Sequence, residues 1–137
     1  MAESVRPLQG LLDTSVVIDL DRLDPSTLPT EVAVSALTMA ELAAGPHATS
    51  DADEQGRRQD RLQRAEAAFD PLPFDGEAAR AYGRIYAAVT AAGRKARGAR
   101  AVDLLIAATA CSSNLPLYTR NGADFEGIDD LLDVVVV

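Results

Sequence analysis

Cysteine and histidine each occur once, and tryptophan is absent. A lone thiol, Cys111, excludes an internal disulfide framework and any cysteine-rich zinc site. It lies in the apolar stretch Ile106–Cys111, where a buried, inert thiol is the expectation. A lone histidine, His47, excludes a ribonuclease mechanism built on a histidine pair, and its place after Gly45-Pro46 reads as surface loop. No apolar run approaches the ~20 residues of a membrane span. Met1–Gly10 has no basic stretch followed by an apolar one, so no secretory signal is read there and the expected location is cytoplasmic. Basic residues are scarce as well, 13 against 21 acidic, for a net charge of −8. That balance is unlike a nucleic-acid binder that works by bulk charge. Acidic side chains that converge need divalent cations before they meet a phosphate, which points toward metal chemistry.

What is present reads as one ordinary globular unit. Its 137 residues, 47% hydrophobic and 25% charged, fit a single domain over 1–137 with one core. Residues 9–13 read as a buried strand ending at a carboxylate, with Thr14 or Ser15 capping a helix through Leu20. Pro25 and Pro29 bracket a loop, Val32–Ser35 is a second strand, and Leu37–Ala44 a helix stopped by Gly45-Pro46. Asp51–Phe69 is a charged helix with Leu62, Ala65 and Phe69 on one face. Leu72–Phe74 reads as a short strand. Gly76–Ala92 is a helix with Ala78, Ala81, Tyr82, Ile85 and Val89 at three-four spacing. Ala101–Ser113 is another, Pro116–Thr119 a strand, and Val134–Val137 the last strand. Strands alternating with helices predict an α/β fold, a central parallel sheet flanked by helices in three layers. Ligands in such sheets gather beyond the carboxyl ends of the strands.

Four acids occupy such places. Asp13 ends the first strand, Glu41 lies one turn into the helix after the second, Asp103 opens an otherwise apolar helix, and Asp124 follows a late strand. Each has a bland reading: Asp13 as a helix cap, Asp103 as a partner of a helix dipole, Asp124 as a brace for the Asn121-Gly122 turn, and Glu41 as an exposed helix residue. Together they would repel unless cations neutralised them, and Mg2+ or Mn2+ prefers such hard oxygen ligands. Two such ions activate water and stabilise a leaving oxygen in phosphodiester hydrolysis. Two basic clusters, Arg57/Arg58/Arg61/Arg64 and Arg94/Lys95/Arg97/Arg100, are candidate phosphate contacts. Asp19 and Asp21 read as solvated, and Tyr82, Tyr86 and Tyr118 as core residues in preference to base-stacking platforms.

The stretches Leu-Leu-Asp-Thr-Ser-Val-Val-Ile-Asp (11–19), Thr-Met-Ala-Glu-Leu-Ala-Ala-Gly (38–45), Asp-Leu-Leu-Ile-Ala-Ala-Thr-Ala (103–110) and Leu-Tyr-Thr-Arg-Asn-Gly-Ala-Asp-Phe (117–125) resemble, in order and spacing, the successive motifs of PIN-domain toxins of the VapBC toxin–antitoxin family. The resemblance spans nearly the whole chain and implies an acidic pocket for Mg2+ or Mn2+, endonucleolytic cleavage of structured RNA such as tRNA or rRNA, an antitoxin that blocks the pocket, and a homodimer. It assigns Asp13 and Asp103 as metal ligands, Glu41 as completing the first-metal pocket, Asp124 as the fourth acid, and Thr14, Thr119 and Asn121 as polar residues that orient carboxylates or water. A cationic, Arg-bearing antitoxin segment suits such a pocket. The charged segment Thr49–Gln63 matches nothing specific. A catalytically inactive PIN module for binding RNA or protein is the alternative. A receiver-type phosphoacceptor would need a lysine after a late strand, whereas the sole lysine, Lys95, falls between two helices.

Overall fold

The computed structural model describes residues 8–98 and 100–137. Four parallel strands, β1 (Gln9–Leu12), β2 (Glu31–Val34), β3 (Leu117–Thr119) and β4 (Val134–Val136), form one sheet in the order β2-β1-β3-β4. Leu12 lies opposite Val34 on one side and Tyr118 on the other. The sheet divides the interior in two, because alternate side chains of a strand point to opposite faces. Leu11 and Leu117 join Ile85, Leu104, Phe125 and Ile128 in one core, while Leu12, Val34 and Tyr118 join Val16, Val17 and Leu42 in the other. Consecutive apolar residues such as Leu11-Leu12 are therefore buried on both faces, as a parallel sheet covered by helices requires.

The first core is covered by α4 (Gly76–Ala91) and α5 (Arg100–Ser112), the second by α1 (Thr14–Ile18), α2 (Ala36–Ala44) and α3 (Ala52–Ala68). Helix α4 buries Ala78, Ala81, Ile85 and Val89 along one stripe, with Tyr82 and Tyr86 half-buried against the same core. Helix α5 ends where Asn114 takes a left-handed conformation at φ 55°, with Leu115 N–H donating to Ala110 O at 3.0 Å and Asn114 N–H to Cys111 O at 3.2 Å, the Schellman pattern. Polar α3 contributes Ala65 and Leu62 to the second core, its C-cap Phe69 packs there too, and Arg58 fixes the helix by donating to Gly45 O beyond α2 at 2.9 Å.

Several local expectations are corrected. Leu72–Phe74 is no strand: Leu72 alone bridges to Ser35, its N–H donating to Val34 O at 2.9 Å. Pro71 and Pro73, which lack N–H groups, prevent extension of the ladder. Helix α1 stops at Ile18, short of Leu20, and a 3-10 turn follows at Leu20–Arg22. The proline-bracketed loop contains another at Pro25–Thr27, capped by Asp24. Cys111 is half-buried and not enclosed. No helix among the described residues is long and apolar enough to cross a membrane. Of the N-terminal stretch inspected for a signal, 1–7 lie outside the described residues.

Candidate active site

The chain runs from β1 outward to β2, then crosses back to β3 on the other side of β1. Between the carboxyl ends of β1 and β3 lies the switch point at which open α/β sheets form crevices. Asp13 stands there. Its N–H donates to Tyr118 O at 2.9 Å, and its side chain, 4% exposed, caps α1 through a bond from Val16 N–H at 3.2 Å. The cap is thus Asp13 itself, not Thr14 or Ser15, as its extended backbone before the first helical turn dictates. Ser15 donates to the same oxygen, Oδ1, and accepts from Arg120 N–H at 3.1 Å, tying α1 to the chain leaving β3. Both bonds engage Oδ1 and neither engages Oδ2.

Glu41 reaches the same end of the sheet from the middle of α2. The Thr14 hydroxyl donates to its Oε1, and Thr14 Oγ1 lies 3.0 Å from Thr38 Oγ1. Ser35, the N-cap of α2, donates in turn to Thr38 at 3.4 Å and accepts from Thr38 N–H at 3.1 Å. Sequence reasoning singled out Thr14, named Ser15 only as a possible helix cap, and missed Ser35 and Thr38, which are fully buried. The available signal was that buried hydroxyls must find partners.

Asp103 lies in the first turn of α5 and is half-buried. Its carboxyl is raised from 3.8 to about 6, first because burial strips it of water, then because Asp124, Glu41 and Asp13 add negative potential, in that order; Arg100 pulls it back. The other three sequence-selected acids are therefore all close enough to Asp103 to act on it at this end of the sheet. Asp124 sits in a 3-10 turn, Gly122–Phe125, with Arg100 Nη2 3.8 Å from its Oδ1. Thr119 is buried and accepts from Asn121 N–H at 3.0 Å, and Asn121 O accepts from Asp124 N–H at 3.0 Å. Asn121 thus shapes the turn through its backbone; among the described residues its side chain makes no hydrogen bond.

A pocket of about 610 Å³ opens beside Asp103 and Asp124, walled by Gly93, Arg94, Lys95, Arg97 and Arg100. The second basic cluster thus faces the acids, but its members differ. Arg94 is bonded to Glu126 and to Ala123 O, and Arg100 is drawn to Asp124, whereas Lys95 and Arg97 are exposed and form no ion pair among the described residues. In the first cluster Arg57 and Arg58 pair with Glu54, and Arg64 with Asp21. Arg61 is without an ion pair among the described residues and lines, with Thr14 and Glu41, a further pocket of about 340 Å³. Asp19, read as solvated, is instead held by Arg120 at 2.9 Å, and Asp21 is exposed as expected. His47 is exposed, and Tyr118 is buried.

The donor set fits a hard divalent cation. It offers only carboxylate oxygens, and Asp103 carries the electrostatic cost of their crowding. Among the described residues no three of them stand close enough to grip one ion together, so an ion held by fewer of them would keep water in its remaining positions.

The family model described as PIN domain matches residues 10–131. The chain belongs to the PIN-domain family. This PIN domain is 35% identical over 137 residues to Ribonuclease VapC5 of Mycobacterium tuberculosis, with 98% of each chain covered. It is 32% identical over 126 residues to Ribonuclease VapC of Rickettsia bellii, covering 88% of this chain and 91% of that one. Among solved structures it superposes with a TM-score of 0.84 on VapBC-5 of M. tuberculosis, described as a member of the VapBC family of toxin-antitoxin systems, at 35% identity over 96% of this chain and 100% of that one. FitAcB of Neisseria gonorrhoeae gives 0.67 at 29% identity, covering 90% and 94%. The four-stranded parallel sheet flanked by helices is the PIN-type fold of these structures, and the PIN domain belongs with the VapC relatives.

Proposed function

We propose that this PIN domain is the toxic component of a type II toxin–antitoxin pair, an endoribonuclease acting in the cytoplasm and dependent on Mg2+ or Mn2+. The observation that carries the reading is the half-buried Asp103 carboxyl, within electrostatic reach of Asp124, Glu41 and Asp13 and beside a pocket walled by cationic side chains. Asp13 and Asp103 are the principal ligands, Glu41 completes the first ion's pocket directly or through water, and Asp124 is the fourth acid. A divalent cation, when bound, supplies neutralisation of the phosphodiester charge and a more acidic water. The protein's share is positional. Ser15 and the α1 backbone fix Asp13, the Thr14 hydroxyl fixes Glu41, and Arg100 restrains Asp124. Hydrolysis forms one P–O bond from water and breaks another, the departing ribose oxygen leaving with a proton.

Lys95 and Arg97, exposed at the pocket wall, are the best placed of the second basic cluster to meet RNA phosphates. Structured RNA, tRNA or rRNA, is the proposed substrate class, since single-stranded loops are where proteins read RNA. An antitoxin with an Arg-bearing segment is the proposed inhibitor, and a homodimer the proposed assembly. A binding module without activity is less well supported, because the acidic set is complete. The deciding experiment compares purified wild type and Asp13→Asn with Mn2+ on total RNA and maps the new 5′ ends. Cleavage by the wild type alone supports the reading, and equal cleavage by both overturns it.

A further inference from the structure

Arg94 stands apart from its basic neighbours. It opens the loop after α4, yet its guanidinium reaches across to the Gly122–Phe125 turn, Nη2 donating to Ala123 O at 3.0 Å and Nη1 pairing with Glu126. These partners bracket Asp124, one residue before it and two after. Its side chain is only 28% exposed, and Nε is enclosed with no acceptor among the described residues. Two further contacts press the same parts together. Arg94 N–H donates to Val89 O at 3.0 Å, anchoring the start of the loop on α4, and Gly127, at φ +94°, brings the end of the turn so near α4 that a β-carbon there would lie 3.0 Å from Ala92 Cβ.

We propose that Arg94 is a positioning residue, which grips the Ala123 carbonyl before Asp124 and the Glu126 side chain after it, and so sets the Asp124 carboxylate against Asp103. The assignment rests on the metal-dependent reading of the site and removes Arg94 from the RNA-contacting set suggested by its sequence neighbours. A planar fork suits the task, because two N–H groups meet a carbonyl and a carboxylate at once. Lysine, a single compact charge, can keep the ion pair with Glu126 but not both bonds. Partners of this kind, standing behind ligating carboxylates, change metal affinity by about 10- to 100-fold when removed.

The test compares wild type, Arg94→Ala, Arg94→Lys, Glu126→Gln and Lys95→Ala by three readouts: amide hydrogen exchange over 121–127 in metal-free protein, Mn2+ affinity, and the salt dependence of RNA binding. Arg94→Ala is expected to speed exchange in that segment and weaken Mn2+ binding at least tenfold, with an unchanged salt slope. Arg94→Lys should recover only part of the loss, and Glu126→Gln should show a smaller loss of the same kind. Lys95→Ala should do the opposite, lowering the salt slope by about 0.7, the value for one phosphate contact on a single strand, with Mn2+ affinity intact. Unchanged exchange and Mn2+ affinity in Arg94→Ala, with a reduced salt slope, would overturn the proposal and restore Arg94 as an RNA contact. If Arg94→Ala does not fold, Arg94→Lys and Glu126→Gln decide by the same readouts. Failure of the wild type to bind Mn2+ would sink the metal-site reading, while the exchange data would still decide whether Arg94 holds the turn.

Discussion

The hydroxyl of Thr14 donates to the carboxylate of Glu41, joining the start of α1 to the middle of α2. Because its one proton is used there, the contact with Thr38 at 3.0 Å runs the other way, Thr38 donating and Thr14 accepting. Thr38 then accepts from Ser35, so the hydroxyls form a chain with one direction, Ser35 to Thr38 to Thr14 to Glu41. Such a chain strengthens each of its bonds and fixes where Glu41 points.

Thr38→Val should break this chain with little change in volume. The expected result is a loss of about 1–2 kcal/mol in urea unfolding, because Ser35 and Thr14 each lose a buried partner. Mn2+ affinity should fall about tenfold through the freed Glu41. A variant equal to wild type in both measurements would show that the hydroxyls merely fill space.

Asp13→Asn and Asp103→Asn should each abolish RNA cleavage and growth inhibition while the fold persists. Metal-free stability separates the two. The Asp13 amide retains an oxygen to cap α1, so stability should change by less than ~1 kcal/mol. Asp103→Asn removes a charge the folded state disfavours and should stabilise the metal-free protein above pH 6. Folded spectra with lost toxicity check both; cleavage by a rigorously purified variant would contradict the assignment.

The pH dependence follows from Asp103, whose carboxyl is raised from 3.8 to about 6 in the folded protein. The folded state therefore binds the proton more tightly than the unfolded chain, and between about pH 4 and 6 this group makes stability fall as pH rises. Its stabilising effect is complete below the unfolded value and gone above the folded one. The size is on the order of 1 kcal/mol, discounted for solvent reaching a half-exposed group. Urea midpoints in chelator at pH 4, 5, 6 and 7 should converge for wild type and Asp103→Asn at the acid end and separate toward neutrality. Parallel profiles would contradict it. Mn2+ affinity of the wild type should also weaken below pH 6, since a protonated Asp103 is a poor ligand.

The strand ends were legible because two buried leucines followed by an aspartate mark where a covered strand meets solvent chemistry, and the same logic picked out Asp103 opening an apolar helix. Glu41 and Asp124 gained weight only through company, since an exposed helical glutamate or a turn aspartate is ordinary taken alone. The hydroxyl chain was hidden because Thr14 and Thr38 belong to different strand–helix units and meet only after β1 and β2 pair. Arg94 looked like Lys95 in sequence. What distinguishes them is the distant Gly122–Phe125 turn, which captures one and leaves the other at the pocket wall. The short strand read at 72–74 shrinks to a single bridge at Leu72, because Pro71 and Pro73 on either side have no N–H to give to a ladder.

The partner prediction follows from charge. Four carboxylates on a chain of net charge −8 would suit a cationic side chain as well as a metal ion. An antitoxin arginine laid among Asp13, Glu41, Asp103 and Asp124 would take the cation's place, its fork suited to hold a carboxylate bidentately. Exposed charge pairs contribute little affinity, so an apolar helix docking elsewhere on the chain is expected to supply the rest. The competing picture is an antitoxin that covers the entrance without touching the acids. Binding of the antitoxin's basic segment, measured at fixed ionic strength with Mg2+ absent and then saturating, separates the two. Occupation of the pocket predicts that Mg2+ weakens the peptide at least tenfold, and by linkage that the peptide weakens Mg2+ by the same factor. Occlusion predicts no change in either direction. Asp103→Asn supplies the internal control: it should diminish the Mg2+ effect on peptide binding, because the ion then has no complete site from which to compete.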